Sequence, residues 1–157
     1  MTGEPPICDG CGWRVAGGRN GCRAHFDQFL ARDFSDARFF ATHRLLVDTY
    51  SLQHPDQFCR SAKSLAAHLV GLCWILEHEA GSSVGPDRLR RWLDGKRELL
   101  KPALPDQRGR LTIGDLPVDG DPGQWAEALR AWAESTWAAY EPLHPLARAW
   151  LAEARGD

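Results

Sequence analysis

The sequence predicts an all-α protein: a helical bundle with a non-helical, cysteine-rich cap at its N-terminus. Three observations indicate this class. Residues 1–22 are rich in glycine and proline and show no helical period. From residue 22 onward, apolar side chains recur at helical spacing. Four of the seven tryptophans lie in the last third of the chain, so we expect that part to pack into the core rather than form an unstructured tail.

We expect one domain over residues 1–157, because this length is enough to bury a substantial core. Residues 1–21 form the predicted metal-binding cap, and helices occupy residues 22–101. Within that helical part, residues 36–80 are predicted to form a helical hairpin that turns near Asp56.

The individual helices follow from their start signals and apolar stripes. Ser35 is the predicted N-cap of the first hairpin helix, whose stripe includes Phe39, Leu46 and Tyr50. A shorter helix begins at Pro86, where the missing backbone N–H of proline is tolerated.

The last third of the chain contains a loop and a kinked helix. Residues 102–123 hold proline, glycine and aspartate in turn-forming pairs, so we expect a loop with at most a short extended piece. Residues 124–155 are predicted to form one C-terminal helix or two, with a kink at Pro142 and Pro145, since each proline removes a backbone donor.

Charge and hydropathy restrict the partners. The chain has 19 basic and 21 acidic residues, a net charge of −2, which disfavours nucleic acid or an anionic membrane bound through bulk charge. The first ten residues are polar and do not resemble a signal peptide, and no apolar run reaches the roughly 20 residues of a membrane span. We expect a soluble, cytoplasmic protein whose partner is a small molecule or another protein.

The cysteines of the cap predict a metal site. Cys8, Cys11, Cys22 and His25 give the spacing C-x2-C-x10-C-x2-H, in which a short turn points two thiolates at one ion. Gly12 suits the positive-φ turn of such a motif. Thiolate and imidazole ligands favour zinc over iron or copper.

Two questions about the cap stay open from sequence. The cysteines are either metal ligands or free thiols; a redox CxxC motif is disfavoured because it would follow a strand, whereas this one lies in a glycine-rich loop. The fourth ligand is His25, His54, Cys59 or a water molecule. A closed site with four protein ligands would be structural, and a site with an open position would be catalytic.

The helices carry a second candidate site. In an antiparallel hairpin His43 lies level with His68, and Asp48 is about one turn away. His144, aimed inward by the predicted kink, is the candidate third ligand for a second divalent metal. Asp48 or Tyr50 would then orient a ligand or carry a proton during catalysis.

The alternative is that these polar residues are part of the core. A single histidine on an apolar face is most often a hydrogen-bonded core residue, and Asp48 has an i, i+4 partner in Arg44. Cys59 and Cys73 are expected to be structural.

Five stretches of the sequence together resemble a bacterial family of small proteins described only as a domain of unknown function. They are CDGCG, GC before an aromatic-rich helix, HRLLVDTYSLQHP, SLAAHLVGLCWILE and a C-terminal W…Y…H…R.W, covering residues 8 to about 80 and 132 to 150. The resemblance implies no activity. It implies that the following residues match the family's pattern: Cys8, Cys11, Cys22, His43, Asp48, Tyr50, Gln53, His54, His68 and His144. His25 departs from it. The bundle also resembles in outline the DinB-like metal-binding bundles, whose three-histidine site serves thiol-transfer chemistry.

Two functions follow from these patterns. The first is a zinc-binding helical bundle that acts as a metal-dependent enzyme through a histidine-rich site between helices. The second is a non-enzymatic, zinc-stabilised helical module with a structural or interaction role.

Overall fold

In a computed structural model the chain is described over residues 3–78, 86–95 and 98–156. The described residues form α-helices joined by short turns and by a longer, mostly irregular segment over residues 98–121, and they include a cysteine-rich N-terminal region, so the predicted fold class is confirmed. The helices are α1 (Arg19–Ser35), α2 (Ala37–Phe40), α3 (His43–Gln53), α4 (Pro55–Phe58), α5 (Ala62–Glu77), α6 (Pro86–Asp94), α7 (Pro122–Ala139) and α8 (His144–Arg155). Two 3₁₀ turns lie at Ile113–Asp115 and Glu141–Leu143.

Helix α3 lies at the centre of the bundle, where it contacts α1, α5 and α7. Its apolar residues Leu46 and Leu52 are fully buried. Polar side chains on α3 are also buried, and those of Asp48, Thr49 and Gln53 have hydrogen-bond partners: Thr49, for example, donates its hydroxyl to the Leu45 carbonyl at 2.7 Å. A buried polar group is tolerated when it is hydrogen-bonded, so α3 can be central without being uniformly apolar.

Local capping explains where the long helices begin. Helix α5 starts at a capping box in which Ser61 and Ser64 bond each other's backbone N–H groups. Helix α7 starts after Asp121, whose carboxylate accepts from the Gln124 backbone N–H at 2.8 Å, with Pro122 in the first turn.

The segment predicted as a loop is fixed to the bundle by Gln53. The amide nitrogen of Gln53 donates to the carbonyls of Arg108 at 3.0 Å and Leu111 at 2.8 Å, and its oxygen accepts from the Trp132 indole at 3.0 Å. Ile113 is buried in the 3₁₀ turn that stands where a short extended piece was expected.

The first hairpin helix is not continuous. Helices α2 and α3 are separated at residues 41–42, and the N-cap of α2 is Asp36, whose carboxylate accepts from the Arg38 N–H at 3.0 Å. Ser35, the predicted cap, instead ends α1 and donates to the Arg32 carbonyl. The end of the predicted hairpin, residues 79–80, lies outside the described residues.

The C-terminal helix is divided rather than kinked. Helix α7 ends at Ala139, and the 3₁₀ turn Glu141–Leu143 leads into α8, because Pro142 and Pro145 each lack the N–H that a continuous helix requires. Over the part of the chain that the structure describes, no helix combines the length and apolar character needed to cross a membrane.

Candidate metal centre

Two of the cap cysteines lie on one tight turn. The backbone N–H of Gly12 donates to the Cys8 carbonyl at 2.8 Å, and the Cys8 N–H donates to the Trp13 carbonyl at 2.7 Å. Gly12 has a φ of 86°, the left-handed conformation that favours glycine, as the sequence predicted. This turn brings the sulfurs of Cys8 and Cys11 to the same side of the loop.

The other two members of the cluster come from helices. Cys22 lies in the first turn of α1, where its N–H donates to the Gly18 carbonyl at 2.9 Å. His54 is the C-cap of α3. The following residue, Pro55, disfavours helical backbone in the residue before it, so the chain leaves α3 at His54 and begins α4.

The ligand atoms of these four residues lie close together. His54 Nε2 is 3.5 Å from Cys8 Sγ and 3.6 Å from Cys22 Sγ, and Cys11 Sγ is 3.8 Å from Cys22 Sγ. All four atoms lie within 4.8 Å of one another. A tetrahedral zinc ion with Zn–S bonds of about 2.3 Å and a Zn–N bond of about 2.0 Å separates sulfurs by about 3.8 Å and sulfur from nitrogen by about 3.5 Å. These three distances match a tetrahedral metal site, and the other three ligand-atom distances are no longer than 4.8 Å.

The cluster is enclosed by protein. Cys8, Cys22 and His54 are each 0% exposed, and Cys11 is partly exposed. Within residues 3–78, 86–95 and 98–156, this is the one group of three or more metal-ligating side chains that converges.

Tyr50 contacts two members of the cluster, His54 and Cys22. Its backbone carbonyl lies 2.8 Å from His54 Nδ1, and because a carbonyl can only accept, Nδ1 carries the proton and Nε2 presents its lone pair to the sulfurs. The Tyr50 hydroxyl donates to Cys22 Sγ at 3.7 Å. The Tyr50 ring is stacked between the rings of Phe26 at 3.9 Å and His54 at 4.0 Å, which fixes the position of the imidazole.

Gly10 allows the cap to approach the imidazole closely. A Cβ atom at this position would lie 2.4 Å from His54 Cδ2 and 3.1 Å from Nε2, closer than ordinary contact. Only glycine leaves room here for the ring to face the sulfurs.

Charged groups around the cluster connect the cap to the helices. The guanidinium of Arg19 pairs with Asp9 in the cap and with Asp56 in α4, the latter at 2.9 Å. The hydrogen bond with Arg19 holds the pKa of the Asp9 carboxyl below its usual range.

The thiols of Cys11 and Cys22 contact each other directly, with their sulfurs 3.8 Å apart. The hydrogen bond with the Cys22 thiol and burial together raise the pKa of Cys11 to about 12. Adjacent thiolates repel one another, so a cation is required to hold more than one of them deprotonated at neutral pH.

His25, the fourth ligand of the local sequence motif, does not join the cluster. Its ring lies edge-on against Trp13, with ring centroids 4.8 Å apart. The structure brings His54, one of the alternatives, to the sulfurs instead. Cys59, another alternative, is buried elsewhere, where its thiol donates to the Ser51 carbonyl at 3.6 Å.

The structure does not bring His43, His68 and His144 together. His43 Nδ1 lies 3.0 Å from the carboxylate of Asp33 on α1, and His68 Nδ1 lies 2.8 Å from the carboxylate of Asp48. His144 donates to a backbone carbonyl of α7 at 2.8 Å. Because the chain breaks before α3, His43 at its first residue faces α1, whereas His68 is level with Asp48 rather than with His43.

Asp48 is used as a structural partner. Its fully buried carboxylate accepts from Arg44 at 2.9 Å, the i, i+4 contact expected as the alternative, and from His68.

Cys59 and Cys73 lie outside the cluster. Burial raises the pKa of both thiols to about 12, so neither is an activated thiol.

Sequence reasoning missed several residues around the cluster. The roles of Gly10, Arg19 and Phe26 depend on contacts between distant segments. The position of Gly10 inside the C-x2-C motif was the one local signal.

Fold and site define an all-α protein with a buried cluster of three cysteines and one histidine that can hold a metal ion. The chain belongs to DUF5946, a family of unknown function whose model matches residues 6–141. This confirms the expected uncharacterised family, and the match includes all four members of the cluster. Neither the curated proteins nor the solved structures contain a match to the chain. The outline similarity to DinB-like bundles stays a prediction.

Proposed function

We propose that the chain binds one zinc ion through Cys8, Cys11, Cys22 and His54, and that this ion is structural. One observation carries the proposal: four ligand atoms, three of them on fully buried residues, lie within 4.8 Å of one another, and three of their distances have the values of a zinc tetrahedron. Soft thiolates with one imidazole favour zinc over harder or octahedral ions.

The number of ligands supports a structural role. Four protein ligands complete the tetrahedron and leave no coordination position for water or substrate. Hydrogen bonds from Tyr50 to Cys22 and from His54 to the Tyr50 carbonyl orient two of the ligands. In this proposal Tyr50 is a support for the metal ligands rather than a proton carrier.

The ion would join three segments that are distant in sequence. The cap has little packing of its own: among residues 3–18, Cys8 and Val15 are the buried side chains, and a single β-bridge joins Ile7 to Arg14. Zinc would tie this cap to the start of α1 and the end of α3. Binding energy would then be folding energy for the N-terminal part of the protein.

The protein is therefore best described as a zinc-stabilised helical module. A metal-dependent enzyme built on His43, His68 and His144 is not proposed, since each of these side chains already has a separate partner.

Elemental analysis of untagged protein tests the proposal. We expect one zinc per chain, lost in Cys8→Ser and in His54→Ala. His25→Ala is the matched control, because it removes a histidine of the same local motif that contacts Trp13 instead of the cluster. Zinc that is lost in His25→Ala but kept in His54→Ala would contradict the assignment, and protein without zinc would contradict the proposal as a whole.

A further inference from the structure

The four zinc ligands differ in their access to solvent. Cys8, Cys22 and His54 are fully buried, whereas Cys11 is partly exposed. Cys11 lies on the turn of the cap and is followed by Gly12 with its left-handed backbone. It is therefore the ligand that a small dissolved oxidant reaches first.

The sulfur nearest to Cys11 belongs to Cys22. The two Sγ atoms are 3.8 Å apart and in direct contact. A disulfide bond is about 2.05 Å long, so the sulfurs must approach by less than about 2 Å. Cys22 is held in the first turn of α1, and the turn that carries Cys11 can supply the movement.

We propose that this centre is sensitive to oxidation: hydrogen peroxide converts Cys11 and Cys22 to a disulfide, which expels the zinc ion and releases the cap. The inference rests on the proposed zinc centre and adds its regulation.

The chemistry requires one peroxide per disulfide. The Cys11 thiolate attacks one peroxide oxygen, the O–O bond breaks, and a sulfenic acid and hydroxide form. The Cys22 thiolate then attacks the Cys11 sulfur, the S–O bond breaks, and a second hydroxide leaves. Two electrons pass from the two sulfurs to peroxide, and the protonated buffer supplies the two protons that convert the hydroxides to water. Cys8 and His54 remain as two ligands, too few to retain zinc.

Loss of the ion would leave the cap with weak attachments. The ion pairs of Arg19 with Asp9 and Asp56 involve exposed carboxylates, and exposed ion pairs contribute little stability. Arg14 is already half exposed in the cap. Release of the cap should therefore make the peptide bond after Arg14 a site of rapid tryptic cleavage.

Two variants form a matched pair for the test. Cys11→His and Cys8→His each replace one thiolate by an imidazole, which also binds zinc, but only Cys8→His keeps the pair that forms the disulfide; the zinc content of each variant is measured before peroxide is added. The zinc-loaded proteins are treated with hydrogen peroxide, released zinc is followed with a chromophoric chelator, and disulfides are mapped by mass spectrometry. We expect the unchanged protein and Cys8→His to release one zinc per Cys11–Cys22 disulfide, and Cys11→His to retain its zinc.

The mapping on the unchanged protein keeps the test decisive even if a variant fails to bind zinc. Zinc that stays bound under peroxide, release without a disulfide, or a disulfide between Cys8 and Cys11 would overturn the inference. Equal release from Cys11→His and the unchanged protein would do the same. Protein that holds no zinc before peroxide is added would contradict the proposed zinc centre instead, so the two failures are distinguishable.

Discussion

Gly10→Ala is expected to weaken zinc binding although Gly10 is not a ligand. An added Cβ would lie 2.4 Å from Cδ2 of His54, whereas ordinary contact begins near 3.4 Å. Gly10 is not among the positive-φ glycines, so alanine fits the backbone and the effect comes from this contact. Either the cap or the imidazole must move by roughly 1 Å, which exceeds the tolerance of about 0.2 Å in a metal–ligand distance.

The size of the effect can be estimated from disturbed metal sites. Changes that misplace a metal-ligating histidine weaken affinity about 10- to 100-fold. At a fixed excess of zinc, this lowers the free energy of unfolding of the zinc form by about 1.4–2.7 kcal/mol. Because the Tyr50 stack holds the imidazole against the cap, the metal-free protein should also lose some stability, and the effect on zinc is read from the difference between the two forms.

Zinc affinity is measured by competition with a chromophoric chelator, and stability by chemical denaturation with and without zinc. Gly3→Ala is the matched control, since a Cβ at Gly3 meets nothing within 4 Å. Equal zinc affinity for Gly10→Ala and Gly3→Ala would refute the placement of His54 against the cap.

Other predictions follow from single contacts. Tyr50→Phe keeps the stacked ring but removes the hydroxyl that donates to Cys22 Sγ, so zinc affinity should fall about tenfold by the same competition assay; unchanged affinity would contradict this support. His68→Ala removes a partner of the buried Asp48 carboxylate, so the free energy of unfolding should fall by about 1–3 kcal/mol while zinc content stays constant; loss of zinc would contradict the separation of the two sites. The guanidinium of Arg148 in α8 holds the pKa of Glu77 below its ordinary value of 4.5, so this ion pair stabilises the fold above that pH and loses its effect as the pH falls. In Glu77→Gln the free energy of unfolding should therefore fall less steeply as the pH is lowered below 4.5. An unchanged dependence on pH would contradict the role of this ion pair.

The helical fold could be predicted because the signals are local. Apolar spacing, Pro86 and the prolines near residue 142 indicate helices and breaks from a few neighbouring residues. The start of α2 was misplaced by one residue because Ser35 and Asp36 are both suitable caps. The break between α2 and α3 was missed because residues 41–42 contain neither proline nor glycine to indicate it. The separation at residues 41–42 then changed which neighbours His43 faces, since each residue turns a helix by about 100°.

The candidate site could be predicted only in part, for the same physical reason. Cys8, Cys11 and Cys22 lie within one short stretch, so their spacing alone indicates a metal site. His54 lies 46 residues after Cys8, and its approach depends on how α3 returns to the cap. Local spacing favoured His25, whereas tertiary packing places His54 at the sulfurs.

The role of Gln53 could not be predicted either, because it depends on residues that are distant in sequence. The residue matched the resemblance in sequence, but its sequence context indicated no role. In the structure it fixes the segment around Arg108 and Leu111 to α3, through contacts separated by more than 50 residues.

X-ray absorption at the zinc edge of the purified protein tests the central claim most directly. The account predicts a zinc ion with three sulfur neighbours at about 2.3 Å and one nitrogen neighbour at about 2.0 Å in the unchanged protein, and loss of this zinc signal in His54→Ala. A zinc shell of nitrogen and oxygen alone, or a sulfur-rich shell unchanged in His54→Ala, would contradict the assignment of Cys8, Cys11, Cys22 and His54 as the ligands.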